Sequence, residues 1–227
     1  ALVRSGFRHH ARYYLEILRA PHYDMRHMDR IVTLHDSGRL EPAIRDGGVI
    51  LVSCHLGNFE PFGLYLAALG RPALAPIEEI EPRELYEFLA ARRGASSVEL
   101  VPVRQSRAAL SRRLRDGGLV GIVGDRLTGG AAGHPVTMFG HPTTIPNGPA
   151  VLALTHHATV VGGRCLRVGP DRFEADGEVI QIPTDGDRRA RVAALTDRIA
   201  ERFERDIGEA PEQWWGAFQP FWPDISA

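Results

Sequence analysis

Apolar residues along this chain recur in two rhythms. Short unbroken runs at Val49–Cys54, Ala73–Ile77, Val98–Val103 and Leu119–Val123 have the length and composition of buried strands. Between them lie segments of helical spacing, Asn58–Leu69, Pro82–Arg93 and Ser106–Arg115, each closed by a glycine or a Gly-Gly pair. The second is the best marked, with Pro82 at its start and Gly94 just past its end. Strands alternating with helices at this interval predict an α/β fold with a mostly parallel central sheet flanked by helices.

The flanks of this repeat read differently. Leu2–Ala20 predicts a helix stopped by Pro21, with Phe7, Tyr14, Ile17 and Leu18 on one face and Arg4, Arg8, Arg12 and Arg19 supplying positive charge. Residues 30–46 read as a polar, turn-rich piece with a short helix. After a glycine-rich loop, Thr128–His134, come a strand at Val136–Phe139 and a helix led by Asn147, Gly148 and Pro149 and running to His157. Thr159–Val168 and Arg172–Ile182 alternate like an antiparallel hairpin about Gly169-Pro170-Asp171. Arg188–Ile207 is the longest predicted helix. No linker divides the chain, so residues 1–227 read as a single domain.

Composition narrows the function. The 27 Lys+Arg and 28 Asp+Glu balance, which argues against a general nucleic-acid binder. The two cysteines, Cys54 and Cys165, both fall in strand-like runs and read as buried thiols rather than a disulfide. No run reaches the roughly 20 apolar residues of a membrane span, and no signal peptide is visible. The first residue is alanine, which leaves room for an upstream segment.

The chemistry concentrates at Ser53-Cys54-His55-Leu56-Gly57-Asn58-Phe59-Glu60. This phrase puts His55 at the carboxyl end of a strand, where α/β sheets open their crevices. Imidazole titrates near working pH and can take and return a proton. Two acids lie at matching places, Glu60 in the first turn of the next helix and Asp125 after Leu119–Val123. An acid there can orient the imidazole and stabilise its charged form. Alternation along the strand then turns Cys54 toward the core.

The spacing His-x-x-x-x-Glu in this phrase resembles the signature of the bacterial lipid A and phosphatidylinositol mannoside acyltransferase family. Further likenesses are Arg12-Tyr13-Tyr14-Leu15-Glu16, Met138-Phe139-Gly140 with Gly148-Pro149, and the closing Gln213-Trp214-Trp215 with Gln219-Pro220-Phe221-Trp222. His141 replaces an acid often seen in that family. Where the family reads Glu-Arg-Asp-Leu after the last parallel strand, this chain has Asp125-Arg126-Leu127, an acid one methylene shorter that has to sit closer to its histidine. The resemblance also carries the family's acid after its second strand onto Glu78 and its helix-end arginine onto Arg93.

The resemblance implies a glycerolipid-acyltransferase-like fold and direct transfer of a fatty acyl group from acyl-CoA or acyl-carrier protein to a hydroxyl of a membrane glycolipid. A phosphatidylinositol mannoside is the first expected acceptor, with a lipid A-type or other lipid acceptor as the alternative. His55 is the expected general base, held by Asp125 with help or replacement from Glu60. Glu78, Arg93, Arg126 and Asn58 are the expected substrate-binding residues. The oxyanion is expected to meet a backbone N–H near Gly57–Asn58, or Arg126, or Arg93. Apart from the acyl-CoA or carrier-protein co-substrate no cofactor is expected, and no metal. The arginines at 104, 107, 112, 113 and 115 are candidates for CoA phosphates or an acidic carrier protein. The helices Phe59–Leu69 and Leu85–Ala91 are candidate walls of an acyl channel. The arginine-bearing first helix suggests peripheral attachment to an anionic membrane surface, on the cytoplasmic face of the plasma membrane.

Three rivals are weaker. The ten histidines invite a metal hydrolase, but the His9-His10 and His156-His157 pairs point about 100° apart on a helix and chelate poorly. A non-catalytic lipid or acyl carrier would need apolar walls but no paired histidine and acid. No Gly-x-Ser-x-Gly elbow supports a serine hydrolase.

Overall fold

The computed structural model describes every residue except 36, 37, 39, 69, 95–97, 129–131, 219, 220 and 224–227. In chain order the elements are α1 (Leu2–Arg19), α2 (Met25–Ile31), β1 (Val32–His35), α3 (Leu40–Arg45), β2 (Val49–Ser53), α4 (Glu60–Ala68), β3 (Ala73–Ile77), α5 (Arg83–Gly94), β4 (Glu99–Pro102) and α6 (Val103–Arg115). There follow β5 (Leu119–Val123), β6 (Gly133–Met138), β7 (His141–Pro146), α7 (Gly148–His156), β8 (Thr159–Gly169), β9 (Arg172–Ile180) and α8 (Arg188–Glu209), with short 3₁₀ turns at Pro211–Gln213 and Trp215–Phe218.

The main sheet runs β1-β9-β8-β2-β5-β3-β4. Every neighbouring pair is parallel except β8 with β9, the predicted hairpin. β2 lies between β8 and β5, and Val49, Ile50, Leu51 and Val52 are all buried. That accounts for its unbroken apolar run, since a strand covered on both faces has no polar side to show. Ile50 and Val52 pack into the core beneath α6, α7 and α8 with Leu110, Ala153 and Phe203. Val49 and Leu51 face the other way, against Leu40, Ile44 and Leu66 of α3 and α4. Each such buried aliphatic side chain contributes about 2 kcal/mol over an exposed one.

α8 is fastened to the sheet by charge as well as by packing. Arg202, only 6% exposed, reaches Asp206 at 2.7 Å, Glu178 at 3.1 Å and also Asp176. Gly162 on β8 makes room for it, because a Cβ there would lie 2.9 Å from the Arg202 stem. Taking the guanidinium out of water costs energy that its carboxylates offset, so the cluster sets the placement of the helix more than its stability.

The sheet core follows the sequence expectation, and the departures are at the edges. The polar piece after residue 30 contains β1, a four-residue strand pairing with β9. Its half-exposed alternation is too short to stand out from a loop. β7 is likewise unforeseen; it pairs antiparallel with β6 in a separate two-stranded sheet, and Pro142 and Pro146 disguise it. Such prolines are tolerated because each strand of a two-stranded ribbon has an unpaired edge. α4 starts at Glu60 rather than Asn58, and the expected end at Leu69 lies outside the described residues, as do residues 129–131 of the glycine-rich loop. Asn147 holds the cap position of α7 but its side chain makes no capping bond.

Cys54 and Cys165 are free, 2% and 1% exposed, and burial pushes both thiols well above their usual pKa. A thiol reagent at neutral pH should therefore leave the native protein unlabelled and label both residues in urea. Labelling of the native protein within minutes would contradict this packing.

Candidate active site

Parallel pairing of β2 with β5 is in register from Val49↔Leu119 to Ser53↔Val123. Two residues further along both chains, this register sets His55 beside Asp125. Asp125 is wholly buried, and its Oδ1 lies 2.6 Å from His55 Nδ1. Its Oδ2 accepts from the backbone N–H of His55 at 3.0 Å and from the indole N–H of Trp214 at 2.9 Å. Burial alone would raise the carboxyl's pKa, but the His55 ring and these donors overcome it and hold the group below the usual carboxylate range. An ionised carboxylate can only accept, so Nδ1 carries the hydrogen, and in the neutral imidazole the lone pair is then on Nε2. The ring retains 23% exposure where Asp125 has none. The shorter acid does sit close, as the missing methylene requires.

The turn after His55 is tightly held. Gly57 has φ of +66°, and a Cβ there would fall 2.1 Å from the Cys165 carbonyl. Its N–H donates to the Gln213 carbonyl at 3.1 Å, and the Asn58 N–H donates to the Cys165 carbonyl at 2.9 Å. Both backbone donors expected to meet an oxyanion are thus already engaged, which removes that assignment. Asn58 is also fully buried. Its side chain donates to Glu16 at 2.8 Å and accepts from the Glu60 N–H at 3.0 Å, so it shapes the start of α4 instead of facing a substrate.

Glu60 departs from expectation too. Its Oε1 accepts from Arg93 Nε at 2.7 Å and from the Tyr13 hydroxyl at 3.3 Å, while Arg93 Nη2 donates to the Tyr13 oxygen at 3.0 Å. The acid five positions after His55 therefore anchors an arginine, and the imidazole hydrogen goes to Asp125. Arg93 lies over the Phe59 ring at 5.2 Å. Burial works against its charge, but Tyr13 and Glu60 outweigh that and raise its pKa further, while burial keeps Tyr13 protonated. Glu78 and Arg126 follow β3 and β5 at the same sheet edge and form an ion pair with each other, both partly exposed.

A cavity of about 110 Å³ lies under α4, walled by Leu51, Ala75, Leu100, Ile122, Phe59 and Leu66, with Glu60 and Arg93 also lining it. Its walls come from the sheet and α4. The expected second wall does not form, for Leu85 and Phe88 of α5 are 42% and 43% exposed and Arg93 is the α5 residue that reaches the cavity. Of the basic residues around α6, Arg104 pairs with Glu79 and Arg113 with Glu99. Among the described residues no group of three or more His, Cys, Asp or Glu is placed to hold a metal ion.

Three participants escaped the sequence reading. Tyr13 and Glu16 share the inward face of α1 with Ile17, a one-turn spacing that marks a buried face but names no partner. Glu16 takes Asn58 and the Arg167 guanidinium. Trp214 stood within an aromatic C-terminal phrase, but nothing local could tie it to a residue 89 positions away. Gln219 and Pro220 of that phrase lie outside the described residues.

The model of a family described as bacterial lipid A biosynthesis acyltransferase matches residues 1–222. Two curated proteins named phosphatidylinositol mannoside acyltransferase are similar over 97% of this chain. The one from Mycolicibacterium smegmatis is 29% identical over 228 residues, covering 72% of its own length. The one from Mycobacterium tuberculosis is 30% identical over 236 aligned residues, covering 70% of its own length.

Asp125→Asn is expected to destabilise the fold by about 1–3 kcal/mol at neutral pH, read from chemical denaturation. The folded carboxyl has the lower pKa, so its contribution is present above the unfolded value of about 4 and fades as pH falls through the folded value. The gap between the two proteins should therefore narrow as pH drops from about 6 towards about 3; a gap that widens would contradict the assignment.

Proposed function

Since the chain belongs to the bacterial lipid A biosynthesis acyltransferase family, we propose that it is an O-acyltransferase acting on a membrane glycolipid, with His55 as general base. The observation that carries this reading is the His55–Asp125 pair, 2.6 Å apart at the carboxyl edge of the parallel sheet. Nε2 of His55 takes the proton of an acceptor hydroxyl as that oxygen attacks the carbonyl of a fatty acyl thioester, acyl-CoA or acyl-carrier protein. Asp125 keeps Nδ1–H in place and stabilises the imidazolium that forms. Collapse of the tetrahedral intermediate breaks the C–S bond, and the imidazolium returns the proton to the departing thiolate. The cycle closes with an ester, a free thiol and a neutral histidine.

With the backbone donors of the turn engaged, the oxyanion falls to Arg126 or Arg93, both held by carboxylates in the described geometry. The apolar cavity under α4 suits part of a fatty tail, and Arg93 at its lining suits a charged or hydroxylated head. Phosphatidylinositol mannoside is the favoured acceptor because the curated relatives carry that name at about this identity over 97% of the chain.

The same reading places the protein at the cytoplasmic face of the membrane as a peripheral enzyme. Among the described residues no helix is long and apolar enough to cross a bilayer. α1 instead turns Tyr13, Glu16 and Ile17 inward and leaves Val3, Phe7, Tyr14, Leu15 and Leu18 at least 40% exposed beside Arg4, Arg8 and Arg12. Each arginine near an anionic surface adds on the order of 1 kcal/mol, and the apolar residues add a similar amount each on entering the interface. That suffices for reversible attachment.

His55→Ala should lower acyl transfer from a radiolabelled acyl thioester to phosphatidylinositol mannoside by about 10²–10⁴-fold without unfolding the protein. Retention of near wild-type turnover would end the proposal. For the membrane contact, Val3→Asp combined with Leu15→Asp should cut cosedimentation with anionic vesicles about tenfold or more, with a thermal midpoint within a few degrees of the parent. Undiminished binding would remove α1 from the interface.

A further inference from the structure

The C-terminal segment crosses back over the His55 turn. Trp215 N–H donates to the His55 carbonyl at 2.8 Å, Gly57 N–H donates to the Gln213 carbonyl at 3.1 Å, and Leu56 and Trp214 form an isolated antiparallel bridge. Gln213 is 4% exposed and pairs twice with the backbone of Arg167 on β8, at 2.9 Å in each direction. This segment is therefore tied both to the sheet and to the turn that carries the histidine.

Trp214 sits at the centre of the crossing, 5% exposed and edge-on to Phe221 at 5.0 Å and to Trp222 at 5.7 Å. A Cβ on Gly216 would lie 2.5 Å from the indole ring, so the ring rests directly on a glycine. Its N–H reaches Oδ2 of Asp125 at 2.9 Å. The two donors on Oδ2 come from widely separated parts of the chain. One belongs to the backbone of the very turn being held, and the other belongs to a side chain that neighbouring aromatic rings keep from rotating. A carboxylate fixed at Oδ2 from two sides cannot turn about its own Cβ–Cγ bond, and Oδ1 is left pointing at Nδ1 of His55.

We propose that Trp214 is a positioning residue for acyl transfer: its indole N–H fixes the Asp125 carboxylate in the orientation that holds His55. The tryptophan touches no reacting atom; it acts through Asp125. This rests on the reading of His55 and Asp125 as the reacting pair. Its consequence is that the C-terminal aromatic phrase governs turnover rather than substrate capture.

The test is a double-mutant cycle on the full chain with acyl-CoA and phosphatidylinositol mannoside, using Trp214→Phe and Asp125→Asn. Phenylalanine keeps a ring in the aromatic cluster and removes the N–H. Trp214→Phe should lower kcat about tenfold or more with KM within about twofold, as befits loss of a hydrogen bond to a charged group. In the Asp125→Asn background the same substitution should cost under about twofold in single-turnover rate, since no carboxylate remains to be fixed. A Trp214→Phe enzyme with kcat within about twofold of the parent, or an equal loss in both backgrounds, would reduce Trp214 to a packing residue and overturn the proposal. Full activity in Asp125→Asn alone would instead sink the reading of the pair. If Trp214→Phe melts below the assay temperature, Gly216→Ala displaces the indole without deleting its N–H and carries the same two expectations.

Discussion

The Asp125 carboxylate is the constraint on which the rest of the site depends. A carboxylate with no solvent exposure is costly unless donors surround it, and here the donors come from His55 twice and from Trp214 once. Those groups belong to the turn after β2 and to the C-terminal strap. Satisfying one charge therefore obliges two distant parts of the chain to meet at the end of a third. The same arrangement puts a hydrogen on Nδ1, so that a neutral imidazole carries its lone pair on Nε2.

Around that pair, the polar contacts divide into two kinds. Some shape the turn: the Gly57 and Asn58 N–H groups donate to carbonyls, the Asn58 side chain bridges Glu16 and the Glu60 N–H, and Gln213 pairs with the backbone of Arg167. Others lie at the rim: Arg93 keeps partial exposure beside the buried Glu60, and Arg126 and Glu78 are both partly exposed. An arginine already paired with a carboxylate is held in place without being neutralised. It can greet an anion or a developing oxyanion with little reorganisation, which is the condition for electrostatic catalysis.

α1 joins the two surfaces of the problem. Outward, it offers apolar residues and arginines; inward, Tyr13 and Glu16 bond to Glu60, Asn58, Arg93 and Arg167. One helix thus bears the side suited to a lipid surface and a polar underside built into the site. Replacing either inward residue by an apolar one would leave buried partners unsatisfied, a larger loss than the bonds themselves are worth.

Much of this was legible in the residues alone. The central parallel strands β2, β3 and β5 are largely covered, so they announce themselves as local apolar runs, and the positions of His55 and Asp125 just past two of them needed no tertiary knowledge. Edge strands β1 and β7 were lost because four residues alternating between half-exposed and exposed, or prolines in a ribbon, look like loop. The partner of Glu60 was lost for another reason. A left-handed glycine stands between it and His55, so helical phase does not carry across the turn, and spacing cannot say where the acid points. Trp214, Tyr13 and Glu16 reach their partners across 89, 47 and 42 residues, and only the folded chain decides such meetings, because hydrogen bonds between side chains follow spatial neighbours and leave no periodic trace.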